Sequence, residues 1–322
     1  MKAAVLHDTA KIPRFESFPD PVAQAGEVLV RVRAAALKPV DKQMADGSHY
    51  SSFRAFPVVC GVDGVGRLAD GSRVFFVMPR SPYGAMAEHT VVPKPRCFPL
   101  PDTVDDVTAA AVFNPGLSAW GALKWRAELA PGQSVLILGA TGVTGQIAIH
   151  TAKLLGAGRI VAAGRDEKIL ATLSSLGADE TLRIGHSMTD LKHDFERLTK
   201  EHGFDVVIDY LWGAPAEALL AMLTREDFAA GTSRLRWVEV GESAGASISL
   251  PAAALRSSRL EILGAGSGSA PTSPEMWIEA IQSLLANVAS GAIRIETEKI
   301  PLADVEEAWN RKSPGRRVVL IP

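Results

Sequence analysis

The segment from Ser134 to Gly156, Ser-Val-Leu-Ile-Leu-Gly-Ala-Thr-Gly-Val-Thr-Gly-Gln-Ile-Ala-Ile-His-Thr-Ala-Lys-Leu-Leu-Gly, limits what this chain can fold into more than any other stretch. Its apolar run Val135 to Leu138 suits a strand covered on both faces, and the glycines at 139, 142 and 145 end that strand in a sharp turn. Beyond the turn, Ile147, Ala148, Thr151, Leu154 and Leu155 recur at helical spacing. A second short run, Arg159 to Ala163, completes one βαβ length and stops at Gly164-Arg165. Strand, glycine turn, helix and strand in this order predict a doubly wound α/β unit with a parallel sheet.

The turn also carries chemistry. Gly139, Gly142 and Gly145 allow a tight bend, close approach of backbone to a pyrophosphate and packing of helix on strand, while the helix start offers free N–H groups and a positive dipole. The spacing differs from the commoner Gly-x-Gly-x-x-Gly, so the flanking strand and helix carry the reading. The expected dinucleotide contacts are Gly139, Thr141, Gly142, Val143, Thr144 and Gly145 in the turn, then Gly164, Arg165 and Lys168 after the second strand. An acidic residue at that second strand end would accept from a ribose 2′-OH. Arg165 stands there instead and would pair with a 2′-phosphate, which predicts NADPH. Both Arg165 and Lys168 also admit a plainer reading as solvated surface charges.

With 322 residues the chain suits two domains. Its 34 basic and 36 acidic residues are well mixed, with net charge −2, which argues against a nucleic-acid footprint or a polybasic membrane patch. Cys60 and Cys97 are too few for a disulfide framework and lack Cys-x-x-Cys spacing; small core positions are their simplest reading. The seven histidines show no metal-site spacing. No run is long enough to span a bilayer and no leader pattern precedes the first strand, so a cytoplasmic protein acting on a small molecule is expected.

Up to about residue 115 the pattern is short strands with Pro- and Gly-bearing turns: Ala3 to Leu6, Glu27 to Ala36, Gly64 to Leu68, Arg73 to Val77 and Glu88 to Val92. Asn114-Pro115-Gly116 reads as a turn. Helices and strands then alternate, with strands expected at Asp205 to Asp209, Leu235 to Val240 and Leu260 to Leu263. A helix from Pro274 leads to β-flavoured segments at Ile293 to Ile300 and Arg317 to Ile321. The expected division is a β-rich part over 1–118, a cofactor domain over 119–267, and a return to the first part over 268–322. Gly241 and the loop Gly264-Ala-Gly-Ser-Gly268 follow strand ends, so Gly241, Gly264, Gly266 and Ser267 join the expected cofactor contacts. A flexible inter-domain connection is the alternative for that loop.

A β-rich domain interrupted by a dinucleotide domain resembles the medium-chain dehydrogenase/reductase superfamily, and the details look like its zinc-free quinone oxidoreductase branch. The resemblance rests on Gly26-Glu-Val-Leu-Val-Arg-Val32, Lys38-Pro-Val-Asp41, Pro57-Val-Val-Cys-Gly-Val-Asp-Gly-Val-Gly66, Gly71-Ser-Arg-Val-Phe75, Gly84-Ala-Met-Ala-Glu88, Gly116-Leu-Ser-Ala-Trp120, Pro131 to Gly142, Leu176-Gly-Ala-Asp179 and Gly315-Arg-Arg-Val-Val-Leu320, in that order. It implies a GroES-like catalytic domain beside a Rossmann cofactor domain, and a homodimer through the late strands of the Rossmann sheet. It also implies hydride transfer from NADPH to a quinone or an α,β-unsaturated carbonyl compound.

Zinc-dependent members have a cysteine where Lys38 stands and Gly-His-Glu where Gly61-Val62-Asp63 stands, so no catalytic metal is expected. In the quinone reductase pattern Lys38 and Gln43 replace an Asn and a Tyr, which unsettles quinone as the acceptor. The resemblance offers Lys38 and Asp41 as catalytic candidates, and Gln43 and Ser118 as pocket candidates. Lys38 would hold an oxyanion; alternatively it is a solvated lysine at a strand end. Asp41 would orient Lys38 or a ribose hydroxyl; alternatively it caps a helix through Gln43 and Met44. Two other functions compete: a dinucleotide-binding sensor or structural protein without turnover, and a short-chain reductase. The absence of any Tyr-x-x-x-Lys disfavours the latter.

Overall fold

In the computed structural model, which describes residues 1–185, 188–224 and 234–322, the strand Glu27–Ala36 organises the first of two units. Buried Val30 and Val32 alternate with exposed Arg31 and Arg33, as a strand with one solvated face requires. Between Val32 and Ala34 the register shifts, and from there Ala34, Ala35 and Ala36 are all buried. The sheet has seven strands. Its order is Glu296–Pro301, Arg316–Ile321, Glu27–Ala36, Asp63–Arg67, Arg73–Val77 and Cys97–Pro99, with His89–Pro93 also paired to Glu27–Ala36. A smaller sheet joins Arg14–Ser17, Lys2–Leu6 and Val58–Val59.

Arg316–Ile321 runs antiparallel to Glu27–Ala36, pairing Val319 with Ala36 and Leu320 with Ala35, so the tail becomes part of the sheet begun near the amino terminus. This unit comprises Met1–Asn114 and Ser283–Pro322, and the second comprises Pro115–Gln282. The sequence expectation set the changes at 118/119 and 267/268. The helix Pro274–Ala289 begins in the second unit and ends in the first, which carries the later change to 282/283.

The second unit is a six-stranded parallel sheet in the order Glu180–Arg183, Arg159–Gly164, Ser134–Leu138, Val206–Asp209, Leu235–Glu239, Leu260–Gly264. In chain order this is 3-2-1-4-5-6, the Rossmann arrangement, with its direction switch between Ser134–Leu138 and Val206–Asp209. Leu136, Leu138, Val161, Ala163, Phe195 and Trp237 share one buried cluster, which is why the short apolar runs are strands.

Two sequence expectations need correction. Asn114-Pro115-Gly116 is not a turn: all three lie inside the helix Asp106–Trp120. Ala109 to Phe113 are buried, and that packing outweighs the amide hydrogen bond that Pro115 cannot make. The helix then widens into a π-helical turn, Gly121–Arg126. Glu180–Arg183 was unread as a strand. As an outer strand it buries only Leu182, too little to stand out from the sequence.

Candidate functional site

The glycine turn leaves the carboxyl end of Ser134–Leu138, at the switch in strand order. Gly139 has φ +89°, which a side chain would disfavour, and its N–H and that of Ala140 both donate to the carbonyl of Ala163, at 2.9 and 2.8 Å. The turn is thereby tied to the neighbouring strand. A Cβ on Gly145 would lie 2.4 Å from the Gly139 carbonyl oxygen, so the helix Val143–Leu154 can start over the turn only with glycine there. Gly142 caps this helix without any side-chain bond, and the amides of the first turn have no intrahelical acceptor. Thr141 and Thr144 are half-buried and Val143 is buried around that start.

A Cβ on Gly164 would meet Thr141 Cγ2 at 2.3 Å, so the second strand end comes directly against the turn. Arg165 follows it, exposed and without an ion-pair partner among the described residues. Lys168 is exposed in the short helix Glu167–Leu170, which Asp166 caps by accepting from the amides of Lys168 and Ile169. At the next strand ends, the Gly241 amide donates to the carbonyl of Asp209, and the Ala265 amide donates to the carbonyl of Glu239 at 2.7 Å. Gly264 accepts from Arg126 Nε at 2.8 Å. The Gly266 amide donates to Ser269 Oγ, over the short turn Ser267–Ser269. The structure thus gathers the 139–145 turn, Gly164 and Arg165 at one place, and sets Gly241, Gly264, Gly266 and Ser267 at the carboxyl ends of adjoining strands. Ser118 is half-buried in the helix Asp106–Trp120.

Sequence reasoning passed over Asp209 and Tyr210. Asp209 is fully buried and accepts from the amides of Leu211 and Trp212 and from Trp237 Nε1, which fixes Trp212 at φ +53°. Burial pushes its carboxyl above the usual range. Tyr210 lies between the Gly139 and Gly241 turns, with its hydroxyl buried and without a hydrogen-bond partner among the described residues, and burial drives its pKa upward. A polar residue at the end of an apolar strand was the available signal in each case.

Lys38, Asp41 and Gln43 belong to the first unit. The expected solvated lysine is wrong: Lys38 is 2% exposed. Its ammonium donates to the carbonyl of Ala36 at 2.8 Å and to Asp63 Oδ1 at 3.1 Å, and it lies 3.1 Å from Asp41 Oδ2. Two hydrogen bonds and one ion-pair contact thus set three oxygens around the ammonium. Asp41 does cap a helix, although not through Gln43 and Met44. From the third position of Pro39–Asp46 its Oδ2 reaches back to the Lys38 amide at 2.8 Å, and Oδ1 accepts from the Val62 amide at 3.1 Å. Gln43 is half-buried on the same helix.

Arg317, 6% exposed on the returning strand, donates to the carbonyl of Leu37 and completes the cluster. Burial works against the Lys38 charge, but Asp41 and Asp63 outweigh it and hold its pKa above the ordinary lysine value. Burial pushes the Asp63 carboxyl up, with Lys38 pulling back. Burial lowers Arg317, against the pull of the two carboxylates. Asp63 and Arg317 were unassigned from sequence, although an acid inside Val58-Val-Cys-Gly-Val-Asp-Gly-Val65 signals a buried carboxylate that needs a cation.

Residues 24–102 match the alcohol dehydrogenase GroES-like domain, and residues 143–286 match the zinc-binding dehydrogenase family. Among the described residues there is no group of three or more His, Cys, Asp or Glu side chains that could hold a metal ion. Over 313 residues, 93% of this chain, it is 30% identical to a phenolphthiocerol/phthiocerol polyketide synthase of Mycobacterium tuberculosis, spanning 14% of that protein. It is 25% identical to a probable NADPH-dependent quinone reductase of Emericella nidulans, with 96% of each chain covered. The quinone oxidoreductase of Thermus thermophilus, solved also in complex with NADPH, superposes over all of both chains with TM-score 0.83 at 28% identity. With the sheet order, the glycine turn and both domain matches in agreement, the chain belongs to the medium-chain dehydrogenase/reductase superfamily, in its quinone oxidoreductase branch.

Proposed function

We propose that this chain is a zinc-independent oxidoreductase that uses NADPH to reduce a small electrophile, either a quinone or an α,β-unsaturated carbonyl compound. The observation that carries the reading is the glycine turn at the sheet switch together with Arg165 at the end of the second strand. Its residues fit the cofactor: Gly145 and Gly164 let the helix start and the second strand end close against the turn, the first-turn amides have no intrahelical acceptor, and exposed Arg165 offers a cation to a 2′-phosphate. Bound there, NADPH supplies the hydride. Residues 139–145 hold the pyrophosphate, Arg165 and Lys168 the 2′-phosphate, and Gly241, Gly264, Gly266 and Ser267 the nicotinamide end. Gln43 within the first unit and Ser118 within the second are, each separately, acceptor-contact candidates of this reading.

The Lys38 cluster supports independence from zinc. A divalent ion there would have to displace an ammonium already matched to Asp41 and Asp63, and neither Lys38 nor Val62 is a metal donor. In this reading Lys38 and Asp41 are positioning residues: they fix the end of Glu27–Ala36 and the start of Pro39–Asp46, and the buried ammonium is engaged by Ala36, Asp63 and Asp41. Two unpaired cysteines support a reducing, cytoplasmic setting, and none of the described helices is long and apolar enough to cross a membrane. A homodimer through the outer strand Leu260–Gly264 completes the proposal.

The test is steady-state NADPH oxidation against a panel of quinones, enones and alkenals. Turnover with at least one class, well above the rate with NADH, is expected. Tight NADPH binding with no turnover on any acceptor would favour a dinucleotide-binding sensor.

A further inference from the structure

Glu180–Arg183 ends beside Gly164: Arg183 and Gly164 are register partners on parallel strands. Such partners project from the same face of the sheet. A side chain at 164 would run into Thr141, so Arg183 projects from the face where the glycine turn lies. Its Nη1 lies 2.5 Å from Glu167 Oε1, in a pair whose side chains are 49% and 66% exposed. Just beyond, Gly185 packs along Arg165, where a Cβ would come 3.6 Å from Arg165 Cγ. Two arginines from adjoining strands therefore flank the carboxyl end of Arg159–Gly164.

An ion pair this exposed contributes little to folding, and its arginine is readily surrendered to a stronger acceptor. A phosphate dianion is one, with more charge than a carboxylate and three oxygens for the planar guanidinium. We propose that Arg183 is a second arginine for the adenosine 2′-phosphate, with Glu167 as the partner that the phosphate displaces. The proposal rests on the NADPH reading and adds to it a selectivity residue and a competing carboxylate. Glu167 weakens NADPH binding by holding Arg183, and it disfavours a second negative charge nearby.

Fluorescence titration of the full chain with NADPH and NADH tests it. Arg183→Ala should weaken NADPH about tenfold, the scale of one charge-assisted contact, and leave NADH within about twofold. Glu167→Gln should tighten NADPH about two- to fivefold, and should have no effect once Arg183 is alanine. If Arg183→Ala leaves the preference for NADPH intact while Arg165→Ala reduces it, the proposal falls and the cofactor reading stands. Equal losses for both nucleotides in Arg183→Ala would assign Arg183 to the fold and overturn the proposal. A wild-type chain without preference between the nucleotides would overturn the reading beneath it.

Discussion

Replacing Lys38 with methionine keeps the stem and removes the ammonium from a site that is closed to water. Asp41 and Asp63 would then face each other, 0% and 1% exposed at their side chains, with Arg317 as the nearest remaining cation. Removing one partner of a buried ion pair costs about 3–5 kcal/mol, because the other charge is left desolvated and unmatched. A domain has about 5–15 kcal/mol of stability, so the variant should fold but melt much earlier. At about 2–4 °C per kcal/mol for a unit of this size, the expected drop in Tm is on the order of 10 °C.

The double variant Lys38→Met with Asp63→Asn removes one charge of each sign. Asp63 Oδ2 has no hydrogen-bond partner among the described residues, so the amide forfeits little at that atom, and most of the lost Tm should return. Thermal denaturation followed by circular dichroism measures both variants, and single-turnover NADPH oxidation well below the transition measures the chemistry. The reasoning is refuted if Lys38→Met melts within a degree or two of wild type, about the size of a surface substitution, while the hydride-transfer rate falls tenfold or more. That pair of results would mean an ammonium acting on the acceptor.

The same cluster sets an alkaline limit: with the Lys38 pKa raised on folding, its contribution is complete below the ordinary lysine value near pH ~10.4 and is lost as pH rises through the higher folded value. Urea midpoints between pH 8 and 11 should fall at the alkaline end in wild type and less so in Lys38→Met. Gly145→Val should destabilise the cofactor unit by about 2 kcal/mol or more, since its Cβ would meet the Gly139 carbonyl at 2.4 Å; a denaturant midpoint equal to wild type would mean that the turn can yield. Light scattering at micromolar concentration should give twice the chain mass, and Leu263→Lys on the outer strand should give the single-chain mass. A monomeric wild type removes that expectation.

The cofactor unit was legible because parallel strands covered on both faces are written as unbroken apolar runs, as Val135 to Leu138 and Arg159 to Ala163 were. The glycines of the turn were legible for the opposite reason: few other residues tolerate their backbone or the atoms pressed against it. Glu180–Arg183 escaped because an outer strand with one buried residue has no pattern to show, and the arginine at its end escaped with it. Asn114-Pro115-Gly116 has the local chemistry of a turn, but the burial of the helix that runs through it decides its conformation.

Lys38 was the hardest case. A lysine after an alanine-rich strand end looks solvated from its neighbours in sequence, and the partners that bury it are not neighbours. Asp63 comes from a different strand and Arg317 from the last strand of the chain, which reaches the site only because Arg316–Ile321 pairs with Glu27–Ala36. Each charge alone would be too costly to bury; Lys38 and Arg317 against Asp41 and Asp63 sum to zero, and that balance is what lets all four remain inside. A residue-by-residue reading can assign the chemical type of each group, but the balance exists only once the tail has been folded back onto the strand it joins.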